Sequence, residues 1–155
     1  MRCVIIAGGR FTPTSRVRKI LDQADLIICA DSGAGHLRQL DIIPHTLIGD
    51  FDSIDRGDHA FFKAHKVRIE QFPARKDQTD SELGIDRAIE LQAKDITLLG
   101  ATGTRLDHTL ANIFLLETIA GQGIPARIID ETNELTLITD SMELEGEPGD
   151  PISII

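Results

Sequence analysis

The feature that most restricts the fold of this chain is a recurring alternation of short apolar runs with stretches of helical character. The runs are Val4-Ile5-Ile6-Ala7, Leu26-Ile27-Ile28-Cys29-Ala30, Thr46-Leu47-Ile48, Val67-Arg68-Ile69-Glu70, Ile96-Thr97-Leu98-Leu99 and Ala126-Arg127-Ile128-Ile129. Each has the length of a strand, and several are too uniformly apolar to leave one face in water. Between them, helices are predicted over 13–23, 33–40, 55–65, 79–92 and 104–120. Thr12 is the expected N-cap of the first, with Pro13 at its first helical position. Thr79 with Glu82, and Thr104 with Asp107, fit the capping-box spacing, and Gly121 and Gly123 end the last helix. Strands joined through helices predict parallel βαβ units: an α/β fold whose sheet is covered by helices on both faces.

The pattern changes after Asp130. Residues 134–139 are strand-like and no helix follows; a turn-rich segment, 146–151, leads into the apolar Ile152-Ser153-Ile154-Ile155. The expectation is one α/β domain over residues 1–140, with 141–155 the start of a second, truncated β-rich domain. No apolar run approaches the roughly 20 residues of a membrane span, and the N-terminus lacks a signal-peptide h-region. A cytoplasmic protein without a membrane partner is therefore expected. Cys3 and Cys29 sit inside apolar runs with no metal-binding spacing and read as reduced core thiols. The net charge of −9 comes without a basic patch, which speaks against a nucleic-acid partner; Arg16, Arg18 and Lys19 on one early helix read as a solvated face.

Open parallel sheets bind ligands beyond the carboxyl ends of their strands. The segments in that position are Gly8-Gly9-Arg10, Asp31-Ser32-Gly33, Gly49-Asp50-Phe51-Asp52-Ser53, Lys76-Asp77-Gln78-Thr79-Asp80 and Gly100 through His108. All are polar or glycine-rich, and all are predicted at one sheet edge. Asp50 and Asp52 are two apart, which in an extended segment places both carboxylates on one side. A cation between them relieves their repulsion, and Mg²⁺ takes one or two carboxylates with waters and phosphate oxygens. Asp31, Asp77 and Asp80 can complete the set. For a lone DxD, turn chemistry is the simpler explanation; three further aspartates at the same edge weigh against it. The glycines let backbone approach a ligand, helix N-termini at Thr79 and Thr104 offer N–H groups to phosphate, and Arg105 can grip phosphate oxygens in a bidentate way. No GxxxxGK[ST] is present, and Arg38 occupies the third glycine position of a dinucleotide fingerprint. Phosphate charge must then be balanced by metal with Arg10, Lys76 and Arg105. None of the five histidines has ligand spacing, and Ser32 and Ser53 lack Ser-His-Asp logic.

These motifs, in this order, resemble the thiamin pyrophosphokinase (thiamine diphosphokinase) family. The resemblance rests on Ala30-Asp31-Ser32-Gly33-Ala34, Ile48-Gly49-Asp50-Phe51-Asp52-Ser53-Ile54, Lys76-Asp77-Gln78-Thr79-Asp80 and Gly100-Ala101-Thr102-Gly103-Thr104-Arg105-Leu106-Asp107-His108, followed by Thr109-Leu110-Ala111-Asn112. It covers roughly residues 4 to 140. It implies a Rossmann-like catalytic domain followed by a β-sandwich domain, and a homodimer with thiamin bound between the two subunits. It also implies Mg²⁺-dependent transfer of the terminal diphosphoryl group of ATP to thiamin, giving thiamin diphosphate and AMP. By the same resemblance Asp31, Asp50, Asp52 and Asp80, with Asp77 beside them, form the Mg²⁺ group. Thr79 and Arg105 contact phosphate, Asp107 contacts thiamin, and Asn133 lies near the nucleotide. Independently of the resemblance, His108 follows Arg105-Leu106-Asp107 and reads as either a substrate contact or a helix-surface histidine. Two departures stand out: Gly35 replaces the family's asparagine, and most of the second domain is absent. Two alternatives keep the fold. One is a diphosphokinase of another hydroxymethyl acceptor such as a pterin; the other is a non-catalytic Mg²⁺-nucleotide module.

Overall fold

The computed structural model describes residues 1–75 and 77–155. Seven strands form one sheet: β1 (Arg2–Ile6), β2 (Leu26–Ala30), β3 (Thr46–Gly49), β4 (Arg68–Gln71), β5 (Asp95–Leu99), β6 (Ala126–Ile129) and β7 (Glu134–Thr136). Their spatial order is β4-β3-β2-β1-β5-β6-β7. All pairings are parallel except that of β7, which runs antiparallel against β6. The chain therefore builds outward from β1 to β4, then crosses back to start the other half at β5. Right-handed crossovers running in opposite directions must put their helices on opposite faces.

That is what the core shows. Alternate residues of each strand face opposite sides. Val4 and Ile6 pack in a cluster with Val17 and Leu21 of α1 (Ser15–Asp22), Leu37 of α2 (Ala34–Gln39) and Phe62 of α3 (Arg56–Ala64). Cys3 and Ile5 pack in the opposite cluster with Leu83 and Ile85 of α4 (Asp80–Glu90) and Leu115, Leu116 and Ile119 of α5 (Leu106–Ala120). Helix α4 is the return crossover and lies over β1, β2 and β3. Cys3 and Cys29 are buried and unpaired in disulfides, and burial pushes the Cys3 thiol up to about 12. No helix among the described residues is long and apolar enough to cross a membrane.

The helix starts depart from expectation in two places. Helix α1 begins at Ser15, because Thr14 adopts extended geometry and its hydroxyl oxygen accepts the Val17 N–H at 3.2 Å. Thr12 instead donates across to Glu131. Helix α5 has no side-chain cap: Arg105 is its N-cap residue, and the Asp107 carboxylate is taken by the Arg105 guanidinium rather than folding back to Thr104. The Thr79–Glu82 capping box, in contrast, forms in both directions. The last strand is shorter than the 134–139 reading, and residues 137–155 carry no helix or strand.

Candidate active site

The order reverses between β1 and β5, and strands leaving in opposite directions there open a crevice at their carboxyl ends. A cavity of about 710 Å³ lies at that point. Its walls come from the segments after β1, β2, β3 and β5 and from the first turns of α4 and α5. Of the predicted site residues, Gly8, Gly9, Arg10, Asp31, Asp50, Thr79, Asp80, Arg105, Asp107 and His108 line it. Asp52 and Asp77 are exposed and are not among the lining residues, and neither is Asn133. Lys76 lies outside the described residues.

The acidic floor is built by three backbone devices. Asp31 follows β2 and opens a single 3₁₀ turn with φ 42°, a left-handed conformation for a residue only 6% exposed. Phe51 is also left-handed, at φ 65°, and packs its ring against the core on the α1–α3 face. The Asp50–Asp52 segment is therefore not extended as the spacing suggested. It is a tight turn in which the Asp52 N–H donates to Asp50 Oδ1 at 3.0 Å. The turn still brings the carboxylates together: one oxygen each of Asp31, Asp50 and Asp52 lie within 4.8 Å of one another. Gly49, at φ 149°, lets the chain pass between Asp31 and a fourth acid, Asp80. A Cβ there would stand 3.1 Å from Asp31 Cβ and 3.3 Å from the Asp80 carboxyl carbon.

Asp31 Oδ1 is buried without a hydrogen-bond partner among the described residues. A buried carboxylate oxygen left in that state is costly, and strained backbone persists where the surroundings over-determine it, often at functional sites. The donor set is all carboxylate oxygen, the chemistry that suits Mg²⁺. Burial first, then the carboxylates of Asp80, Asp50 and Asp52, push the Asp31 pKa up from 3.8. A raised carboxyl pKa contributes stability below 3.8 that is lost as pH rises through the folded-state value. Asp31→Asn is therefore expected to melt higher than the parent protein in chelator. The difference should open as pH climbs from 4 toward neutrality and then level off, read by thermal unfolding at stepped pH. A melting difference independent of pH would contradict this account of Asp31.

The opposite wall carries the cationic group. The Arg105 guanidinium donates to both Asp107 oxygens, at 2.6 and 3.3 Å, and His108 Nε2 is 4.0 Å from Asp107. The pair is exposed; the shared hydrogen bond raises the Arg105 pKa and lowers that of Asp107. Thr79 spends its N–H on Glu82 at 2.6 Å and accepts the Glu82 N–H, so the hydroxyl proton is what it can offer an anion.

The glycine segment after β1 is held by its neighbours. Gly9 N–H donates to the Gly100 carbonyl at 2.7 Å and Arg10 N–H to Thr102 at 2.6 Å. Neither amide is available to phosphate; what Gly9 supplies is close approach of the β1 and β5 loops. Three anchors of the β5 loop were missed in the sequence. Buried Asn112 donates to the Ala101 carbonyl at 2.7 Å. The Thr109 hydroxyl accepts from Gly103 N–H and donates to the Arg105 carbonyl. Asp130 accepts from the Thr102 hydroxyl at 3.0 Å. The Asn133 side chain donates to Asp130, so its link to the cavity runs through Asp130 and Thr102. The signals in the sequence were the Thr109-Leu110-Ala111-Asn112 motif, to which no role was attached, and an Asn inside the apolar Leu110–Leu116 stretch.

Residues 17–128 match the family model for the thiamin pyrophosphokinase catalytic domain. The chain is 35% identical over 133 residues to the thiamine pyrophosphokinase of Bacillus subtilis, covering 86% of this chain and 62% of that protein. The crystal structure of the B. subtilis protein superposes with a TM-score of 0.77, covering 88% of this chain and 64% of that one. That of Geobacillus thermodenitrificans thiamin pyrophosphokinase does so with 0.73 at 33% identity, covering 88% and 62%. The yeast protein, 19% identical with a TM-score of 0.74, shares the fold over 88% of this chain and 60% of its own. The chain thus spans a little under two thirds of the length of these relatives.

Proposed function

The chain belongs to the thiamin pyrophosphokinase family through its catalytic domain, and on that premise we propose that it works in Mg²⁺-dependent transfer of a diphosphoryl group from ATP to thiamin. The observation that carries this reading is the buried Asp31 oxygen, without a hydrogen-bond partner among the described residues, in a group whose Asp31, Asp50 and Asp52 carboxylates approach within 4.8 Å of one another at the switch-point cavity that Asp31 and Asp50 line. Asp31, Asp50 and Asp52, with Asp80 beside them, are the residues that would hold Mg²⁺. When bound, the ion neutralises phosphate charge and orients the transferring group.

The chain's own residues supply positioning and charge. Arg105 faces the same cavity and can exchange the Asp107 carboxylate for phosphate oxygens, freeing Asp107 for the acceptor. The thiamin hydroxyl oxygen attacks the β-phosphorus, the bond from that phosphorus to the α,β-bridging oxygen breaks, and AMP leaves. The hydroxyl proton passes to a carboxylate, Asp77 or Asp107; that Asp107 lines the cavity supports the second. Arg10, Thr79, Lys76 and His108 are assigned to the phosphates and the acceptor. In this reading the working unit is a homodimer. The exposed stripe Leu106, Leu110 and Phe114 along α5, beginning at the cavity mouth, is the apolar surface available to a second copy.

The test is an AMP-release assay on the full-length protein with Mg²⁺-ATP and either thiamin, a hydroxymethylpterin or no acceptor, with sedimentation run on the same samples. Thiamin-dependent AMP release is expected. Release with the pterin alone moves the activity to a different acceptor, and nucleotide binding without AMP release makes the site a binding module.

A further inference from the structure

One wall of the cavity is held from outside it. His36, on α2, does not line the cavity, yet its Nε2 lies 2.9 Å from the Gly9 carbonyl oxygen. A carbonyl only accepts, so Nε2 carries the proton. The imidazole stacks on Phe11, with ring centroids 4.8 Å apart and planes 14° from parallel. The ring is half-buried, and burial pulls its pKa down, which favours the neutral form at physiological pH. Gly9 is thus gripped on two sides: its carbonyl by α2, and its N–H by the Gly100 carbonyl at 2.7 Å. The next residue, Arg10, donates its own N–H to Thr102 and is a cationic lining residue of the cavity. A segment clamped between α2 and the β5 loop presents Arg10 with little freedom to swing away.

We propose that His36 is a positioning residue for nucleotide binding: its Nε2–H to the Gly9 carbonyl and its stack on Phe11 fix the segment from Gly8 to Phe11, so that Arg10 meets the phosphates of a nucleoside triphosphate without an ordering cost. The proposal rests on the nucleotide-binding reading above. It is distinct from a metal or acceptor role because His36 does not line the cavity and its contacts described above are to the Gly9 carbonyl and Phe11.

The test compares parent, His36→Ala and His36→Gln in the full-length protein. Glutamine places an amide nitrogen near the position of Nε2 and keeps the donor. Hydrogen exchange is measured at the Gly9 and Arg10 amides, and Mg²⁺-ATP affinity and kcat on the same samples. His36→Ala is expected to speed exchange at both amides at least tenfold, leaving those of Ile5 and Leu98 unchanged. It should weaken Mg²⁺-ATP about three- to tenfold, the range of one hydrogen bond, with kcat at saturation within twofold. His36→Gln should recover most of both effects. Parent-like exchange in His36→Ala, or equal defects in the two variants, would overturn the proposal. A parent protein that binds no nucleotide overturns the functional reading, and the exchange data then still decide whether His36 holds the segment.

Discussion

Asp52→Asn is expected to lower Mg²⁺-dependent turnover of the full-length protein by about a thousandfold or more, roughly 4 kcal/mol of transition-state stabilisation. The substitution is nearly isosteric. Asn keeps an oxygen to accept the Ser53 hydroxyl, now 2.7 Å from Asp52 Oδ1, and leaves the Asp52 N–H to Asp50 contact in place. What it removes is one of three negative charges within 4.8 Å. A fold that depended on Asp52 as a turn residue would barely notice; a cation site would lose a ligand and much of its field. The melting temperature in chelator should therefore stay level or rise while turnover collapses. Near-parent turnover would remove Asp52 from the metal group.

Gly9→Ala is expected to cost about 3 kcal/mol or more of folding stability, at the high end of single substitutions. A Cβ at Gly9 would stand 2.3 Å from the Thr102 carbonyl oxygen and 2.5 Å from that of Gly100. Both obstacles are backbone, so no side chain can rotate away. The β1 and β5 loops must separate, and the Gly9-to-Gly100 and Arg10-to-Thr102 hydrogen bonds lengthen or break. Since these loops form the crevice, nucleotide affinity should fall with stability. Gly35→Ala is the contrast: its Cβ would meet only Asp58 Oδ2, at 3.5 Å, within helix α2. There the gain in helix propensity should stabilise by about 0.5–1 kcal/mol. Urea unfolding of the two variants reads both effects, and a Gly9→Ala loss below about 1 kcal/mol would contradict the clamped-loop description.

The fold was legible because its signals were local and redundant. Apolar runs such as Leu26–Ala30 are buried along their whole length, and the Thr79–Glu82 box fixes the start of α4 through side chains three residues apart. The errors came where a polar side chain found a different partner from the one its helix pattern offered. Thr12 reaches the distant Glu131, and the neighbouring Arg105 takes Asp107, so neither helix starts where its local pattern pointed. The edge of the site was legible for a similar reason: strand ends in a parallel sheet must share one edge. Its internal geometry was not. Asp31 and Phe51 are left-handed without a glycine at either position to announce it, and Phe51 packs its ring on the core beneath the loop. The supports Asn112, Asp130 and His36 act through carbonyls or hydroxyls of residues 11 to 28 positions away in sequence, which no spacing rule encodes.

A proposed nucleotide site that works through a divalent cation held by Asp31, Asp50 and Asp52 is tested most directly by calorimetric titration of the full-length protein with ATP, in Mg²⁺ and in chelator. Affinity at least tenfold tighter with Mg²⁺ is expected, with the difference erased in Asp52→Asn. Equal ATP affinity in Mg²⁺ and chelator, or an undiminished Mg²⁺ effect in Asp52→Asn, would contradict it.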